Sequence, residues 1–379
     1  MRLTAHRRRP VRIIMAIWVV AVGCALGCHA PQGRDFGGTT PGFFVSTVQA
    51  KQPILAPAAD TVVIAAPKSQ DARALAAVPS SVETWIVHTR ACEQKLGSDP
   101  WSSITIGRLD EGGGPLHAAE PDALFARMSG RPSVFFVHGA GYTYQDAVEE
   151  AVNIRTVLEA NGGFSPETLF VAFDWPSERE LGDFIQDLNE QSRRSRVASY
   201  HLARFLQSAP PDSRICLMGQ SNGGRIVLMA VHLLSGAPLQ PFWTEPEVAL
   251  TSSRSDLRIR AVLVDAAAGH HWLNPGERLH QALPMCESLL NLRNCADYAL
   301  SVYVFGIYTG LRPPIGQVGL TARDLRVLGP LSARVEQINM HSRVGFSHTS
   351  IPQALGLPDI AERIAHYTSW SDVSQPARR

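Results

Sequence analysis

One serine stands out by its neighbours. Gly219-Gln220-Ser221-Asn222-Gly223-Gly224 follows the apolar run Arg214–Met218 and leads into a second, Arg225–Leu234. A serine hydroxyl held on a tight strand-to-helix bend projects from the sheet edge, and glycines on either side let strand and helix approach closely. The chemistry implied is nucleophilic attack by Oγ, which needs a base to take its proton. The competing reading is a glycine-rich turn that cradles phosphate at a helix start. That reading lacks both the lysine of a P-loop and a G-x-G-x-x-G spacing. A second turn, His138-Gly139-Ala140-Gly141, directly follows the apolar run Ser133–Val137. Alone, a His-Gly pair is only a turn; ahead of Ser221 it gains meaning as a supplier of backbone N–H groups. His270 and His271 do not make a metal site, because adjacent side chains diverge and no third ligand has zinc spacing. No cofactor or metal is implied.

These residues must be held by an alternation of strand and helix. Glu83–Thr89 and Ser103–Gly107 read as strands. Ser133–Val137, Leu169–Phe173, Arg214–Met218, Arg260–Asp265 and Leu300–Ile307 are short apolar runs, the pattern of buried parallel strands. Between them, Tyr144–Ala160 and Leu188–Ser208 carry helical spacing, and Asn161-Gly162-Gly163 stops the first. The succession predicts an α/β fold with a mostly parallel sheet covered by helices on both faces. Trp272–Leu292 has large apolar residues at helical spacing, which fits either core or a cap over the site near 270–295. Pro238–Trp243 is a second inserted loop with the same ambiguity.

The chain has 379 residues, 45% apolar and 18% charged, enough to bury a large core and too apolar for a disordered protein. Net charge is +1, unevenly placed. Five arginines and no acid lie in residues 1–28, leaving 30 basic residues against 34 acidic ones in the body. Such a body has no electrostatic footprint for nucleic acid. Met1–Arg12 is basic, and the fifteen apolar residues Ile13–Gly27 fall short of the roughly 20 that cross a bilayer as a helix. That pattern reads as an export signal. Ala25-Leu26-Gly27-Cys28, and less well Ala21-Val22-Gly23-Cys24, look like the lipobox of bacterial lipoproteins, making Cys28 the expected lipidation site and the membrane a partner. An ordinary signal peptide or an uncleaved anchor is the alternative. Residues 29–80 are rich in Pro, Ala, Gly and Thr and read as a flexible linker spanning on the order of 40 Å. Export permits disulfides, and Cys286 with Cys295 could close a small loop. Cys216, in an apolar strand, reads as a buried thiol.

His138 to Ala147, Phe173 to Glu178 (FDWPSE) and Gly219 to Arg225 (GQSNGGR) together resemble the α/β-hydrolase superfamily. The resemblance runs from about Val82 to His348, within a domain of residues 81–379, and is nearest a bacterial branch with an HG turn, Trp-Pro-Ser and a serine elbow. It implies a Ser–acid–His triad in that chain order, with an oxyanion hole from the Ala140 and Asn222 amides. Gly345-Phe346-Ser347-His348-Thr349 resembles the late histidine loop, so His348 is the expected base, with His341 its local competitor. Two departures from the family pattern appear. Gln220 replaces the usual histidine before the serine, and no carboxylate follows the expected penultimate strand, where Tyr308-Thr309-Gly310 stands. Asp265, at the end of Arg260–Asp265, is the expected acid, since some lipases of the superfamily carry theirs after that earlier strand. Asp324 and then Asp297 are the reserves. The resemblance implies a small-molecule or lipid ester as substrate and an acyl-enzyme intermediate. The rival reading is an inactive hydrolase-fold envelope protein that binds or scaffolds.

Overall fold

A computed structural model describes residues 82–110, 116–179, 184–242, 245–305, 312–349 and 351–370. The expected export signal, Cys28 and the linker 29–80 lie outside the described residues. Nine strands form one sheet in the order β3-β2-β1-β5-β4-β6-β7-β8-β9. They are β1 Thr84–His88, β2 Thr105–Leu109, β3 Leu116–Ala119, β4 Pro132–Val137, β5 Leu169–Asp174, β6 Arg214–Gln220, β7 Arg258–Val264, β8 Cys286–Arg293 and β9 Val335–Asn339. β2 pairs antiparallel with β1 and β3; every other pairing is parallel.

Side-chain alternation sorts the central strands between two cores. Phe135, Val137, Val171, Phe173, Ile215 and Leu217 join one apolar cluster, whereas Val134, Phe136, Phe170, Ala172, Cys216 and Met218 join the other. The period is two, and both faces are apolar because both are covered. Helices α1 Pro121–Met128, α3 Phe184–Leu206 and α4 Asn222–Leu234 contribute to the first cluster. Helix α2 Tyr144–Ala160 and α6 Pro358–Thr368 contribute to the second. Between them in sequence lies α5 Ala322–Leu328. Helix α4 is buried along its whole length, since α3 covers the side turned away from the sheet. Each fully buried Leu or Ile there contributes roughly 1.5–3 kcal/mol, which holds the turn before α4 firmly against β6.

Three expectations are corrected. The stretch 270–295 is no continuous helical cap: it holds a 3-10 turn, His270–Leu273, a helical turn, Ala282–Met285, and then β8, a strand inside the sheet. Leu289, Leu290 and Leu292 are a buried parallel strand, whose consecutive apolar residues also satisfy helical spacing. Leu300–Ile307 is not a strand. Helical turns cover Tyr298–Ser301 and Tyr303–Phe305, and the residues that follow lie outside the description. Cys286 and Cys295 are both free thiols. Cys286 opens β8 and Cys295 lies past its end, so at about 3.3 Å per residue the strand keeps them far beyond disulfide reach.

Candidate active site

The C-terminal edges of five parallel strands bring the site together. The HG turn follows β4, Ser221 follows β6, Asp265 follows β7, Asp297 follows β8 and His348 follows β9. Ser221 takes φ 52° and ψ −118°, a conformation costing on the order of 1–3 kcal/mol that only an over-determined surrounding maintains. The surroundings supply it. The Ser221 N–H donates to the Val264 carbonyl at 2.9 Å, and its own carbonyl accepts from Ala267 at 2.9 Å and from Gly224 at 3.1 Å. A Cβ at Gly223 would land on the Val137 carbonyl oxygen, and one at Gly219 on the Gly223 carbonyl. Glycine is required at both places by close approach of the backbone.

Ser221 Oγ lies 2.9 Å from His348 Nε2, and His348 Nδ1 lies 2.5 Å from Asp297 Oδ2. A carboxylate can only accept, so Nδ1 carries the proton and Nε2 offers its lone pair to the serine hydroxyl. Asp297 is fully buried and does two things at once. Its Oδ1 accepts the Leu300 N–H at 2.9 Å, capping the helical turn Tyr298–Ser301, while Oδ2 faces the imidazole. The loop that carries His348 is tied to the end of β8. Asn294 Nδ2 donates to the Gly345 and Ser347 carbonyls at 3.0 and 3.1 Å. Burial pulls the His348 pKa down, but the hydrogen bond and charge of Asp297, with Asp265 behind, outweigh it and raise the value above that of a free imidazole.

Asp265, the acid expected from the sequence, makes no hydrogen bond to His348. The geometry corrects that expectation in favour of Asp297, because β8 is the true penultimate strand and Asp297 follows it. Asp324, the other reserve, lies elsewhere. It accepts from His270 and Asn274, each at 2.7 Å, and completes a capping box with Thr321 at the start of α5. His341 instead points Nδ1 at the Gly345 carbonyl, 3.2 Å away. Asp265, Asp297 and His348 offer three ligand atoms within 4.8 Å of one another. Both imidazole nitrogens already have partners in Asp297 and Ser221, so this group reads as a proton-transfer cluster.

The turn after β4 is clamped from two sides. Gln220 Oε1 accepts the Gly139 N–H at 3.1 Å. Ser177 accepts the Gly141 N–H on its carbonyl at 2.6 Å and the Tyr142 N–H on its Oγ at 3.2 Å. Between these pinned amides, the Ala140 N–H makes no hydrogen bond to any described residue. The Asn222 N–H, in the first turn of α4, has no carbonyl to meet within its helix. Two amides are thereby left for a ligand oxygen, and the positive end of the α4 dipole adds to Asn222. Behind the turn, buried Asp174 accepts from Arg90 Nε at 2.8 Å, with His138 Nε2 3.2 Å and His88 Nδ1 3.1 Å away. Burial alone would raise the Asp174 carboxyl, but these partners hold it well below the usual carboxylate range. Arg90 also pairs with Glu178 and donates to the Tyr142 carbonyl at 3.2 Å. Trp175 Nε1 donates to the His138 carbonyl at 2.9 Å.

Gln220, Ser177, Asn294 and Asp297 therefore shape the site, and of these only Asp297 is a candidate site residue from the sequence, as a reserve acid. The Trp-Pro-Ser motif was visible, but nothing local says that its serine closes on a turn after another strand.

A family model described as alpha/beta hydrolase of unknown function (DUF900) matches residues 123–249, a stretch that holds the HG turn, Trp-Pro-Ser and the serine elbow. No curated protein matches the chain in sequence. Among solved structures the chain is similar to esterase B from Lactobacillus rhamnosis, at 13% identity and TM-score 0.36, over 78% of this chain and 89% of that one. It is similar to the catalytic core domain of acetyl xylan esterase from Trichoderma reesei, at 14% identity and TM-score 0.33, over 63% and 97%. A hormone-sensitive lipase from a metagenome library gives 12% identity and TM-score 0.34, over 80% and 94%. The sheet order and the family match make this an alpha/beta-hydrolase fold.

Proposed function

We propose that the protein is an exported, lipid-anchored serine hydrolase that cleaves an ester bond through Ser221, His348 and Asp297. One observation carries the reading: an unbroken hydrogen-bond chain runs from Ser221 Oγ through His348 to buried Asp297. His348 Nε2 takes the serine proton as Oγ attacks the ester carbonyl carbon. Negative charge moves to the carbonyl oxygen, where the Ala140 and Asn222 amides meet it; one such donor is worth about 3–4 kcal/mol. The imidazolium, stabilised by Asp297, then protonates the departing alcohol and leaves an acyl-Ser221 ester. Water attacks that ester, gives its proton to the same nitrogen, and releases the carboxylic acid and free serine.

Against the scaffold reading stands Asp297, a buried carboxylate hydrogen-bonded to His348. Export and anchoring rest on the basic and apolar amino-terminal run and on the small residues before Cys28. Mass spectrometry of the mature amino terminus tests the lipid anchor: a lipid-modified Cys28 is expected, and an intact Met1 overturns it. For the activity, a fluorophosphonate probe should label the folded protein at Ser221, and p-nitrophenyl esters should be hydrolysed. A folded wild-type protein that stays unlabelled removes the hydrolase reading.

A further inference from the structure

Two carboxylates, not one, stand beside His348. Asp265 ends β7 with a left-handed φ of 46° and is 6% exposed, and its Oδ1 is buried without a hydrogen-bond partner. A buried, unpaired carboxyl oxygen is costly, and a strained non-glycine residue needs a strong reason to persist. Its backbone is fixed on every side. The Asp265 N–H donates to the Leu292 carbonyl at 2.9 Å, Gly316 N–H donates to the Ala266 carbonyl at 2.9 Å, and a Cβ at Gly316 would strike the Asp265 main chain. The side chain is thus held where a ligand oxygen of Asp265, one of Asp297 and an imidazole nitrogen of His348 lie within 4.8 Å of one another.

We propose that Asp265 is a reserve positioning acid for His348, sharing with Asp297 the task of holding the imidazolium and taking over when Asp297 cannot. This rests on the hydrolase reading above and adds a second acid to its triad. Two carboxylates so close to each other cannot both ionise cheaply, so the pair and the imidazole titrate as one unit. Burial pushes the Asp265 carboxyl up to about 8; the His348 charge opposes this and the Asp297 charge adds to it. The groups facing it are the Asn294 backbone N–H and Asp297 from the loop after β8 and His348 from the loop after β9. The short helix Ile315–Val318, packed on its backbone, brings no ionisable side chain. At neutral pH Asp265 therefore keeps its proton. With Asp297 neutralised, Asp265 loses its proton to water as pH rises towards 8 and becomes the only carboxylate able to support His348.

The test uses the full folded chain as wild type, Asp297→Asn, Asp265→Asn and the double variant. Asparagine retains the oxygen that caps Tyr298–Ser301, which favours folding of the Asp297 variant. Two readouts are taken: kcat/KM for p-nitrophenyl butyrate against pH, and the His348 ring C–H titration by NMR. Asp297→Asn should lose about 10²-fold at pH 7 and recover as pH climbs through 8, while the double variant loses about 10⁴-fold at every pH. The His348 pKa should fall further in the double variant than in Asp297→Asn. Identical rates and identical His348 pKa values in those two overturn the proposal. The NMR comparison decides it even if the wild type cleaves no ester, so the two readings fail separately. If Asp297→Asn does not fold, Asp265→Asn decides: it should erase an inflection near pH 8 from the wild-type His348 titration, and an unaltered curve overturns the proposal.

Discussion

The two halves of the site are built on different principles. On the β4–β5 side, the atoms that hold the turn are paired: Asp174 gathers His138, His88 and Arg90, while Ser177 and Gln220 clamp the HG turn. On the β7–β9 side, one imidazole faces two buried carboxylates, and one of them keeps an unpartnered oxygen. The first half is fixed by geometry and should respond to shape. The second is balanced by charge and should respond to pH. Ser221 sits between them on its strained bend, answering to both.

The contrast has meaning only if chemistry happens at that bend, so the largest effect belongs there. Ser221→Ala should lower kcat by on the order of 10⁴-fold or more, with the thermal midpoint nearly unchanged. Ester hydrolysis by the purified variant beside a differential scanning trace measures both. A variant keeping a tenth of the activity would move the reaction elsewhere and dissolve the comparison.

On the geometric half, Ser177→Ala removes the Oγ that accepts the Tyr142 N–H and donates to the Tyr142 carbonyl at 3.1 Å. The Ala140 amide then loses part of its aim. A fall in kcat of about 10–100-fold is expected with KM little changed and no movement of the pH profile, because the lost term is transition-state stabilisation. Gln220→Ala should do the same from the opposite side of the turn. If either variant shifts the acid limb instead, the two halves are not separable.

On the charge-balanced half, catalysis needs neutral His348 Nε2. With its pKa raised, kcat/KM should climb with pH through a limb lying above 6.5, the value of an unperturbed imidazole. Asp297→Asn removes the leading support of the imidazolium, so the His348 ring titration should move down in pH even as the rate drops. A titration that stays put would mean that Asp297 holds the loop and not the charge. Stability linkage runs the same way. The charge on His348 favours folding below pH 6.5, and that share is lost as pH rises through its folded pKa.

How much of this was legible beforehand follows from how local each signal is. β4, β5, β6 and the helix after Ser221 are continuous apolar runs bounded by turns, and the structure places them within a few residues of their expected limits. β8 was hidden because Leu289, Leu290 and Leu292 close a longer apolar stretch that also has helical spacing. The apolar residues after Asp297 then took its place as the penultimate strand, although Asp297 itself caps a helical turn there. One misplaced strand carried the acid with it: a rule that reads the residue after that strand lands on Tyr308 from the wrong strand and on Asp297 from the right one. Gln220 and Ser177 were illegible for another reason. Their partners lie 81 and 35 residues away, across strands whose adjacency only the sheet order reveals.

The smallest effect is on stability, and it isolates Asp265 from catalysis. Its folded pKa of about 8 stands above the ordinary aspartate value of 3.8, so the folded chain binds more protons than the unfolded one between those limits. Stability from this group is complete below pH 3.8 and declines as pH rises, at no more than about 1.4 kcal/mol per pH unit, until the folded carboxyl ionises. Asparagine cannot ionise and should remove that slope. The Asp265→Asn variant should gain on the wild type as pH moves from 5 to 8, by up to about 10 degrees in thermal midpoint for a domain of this size. Ser177→Ala should show no such trend relative to the wild type, since it removes no ionisable group. Parallel midpoint curves for wild type and Asp265→Asn across that range would mean that Asp265 is already ionised when folded. The division between a geometric half and a charge-balanced half would then lose its strongest support.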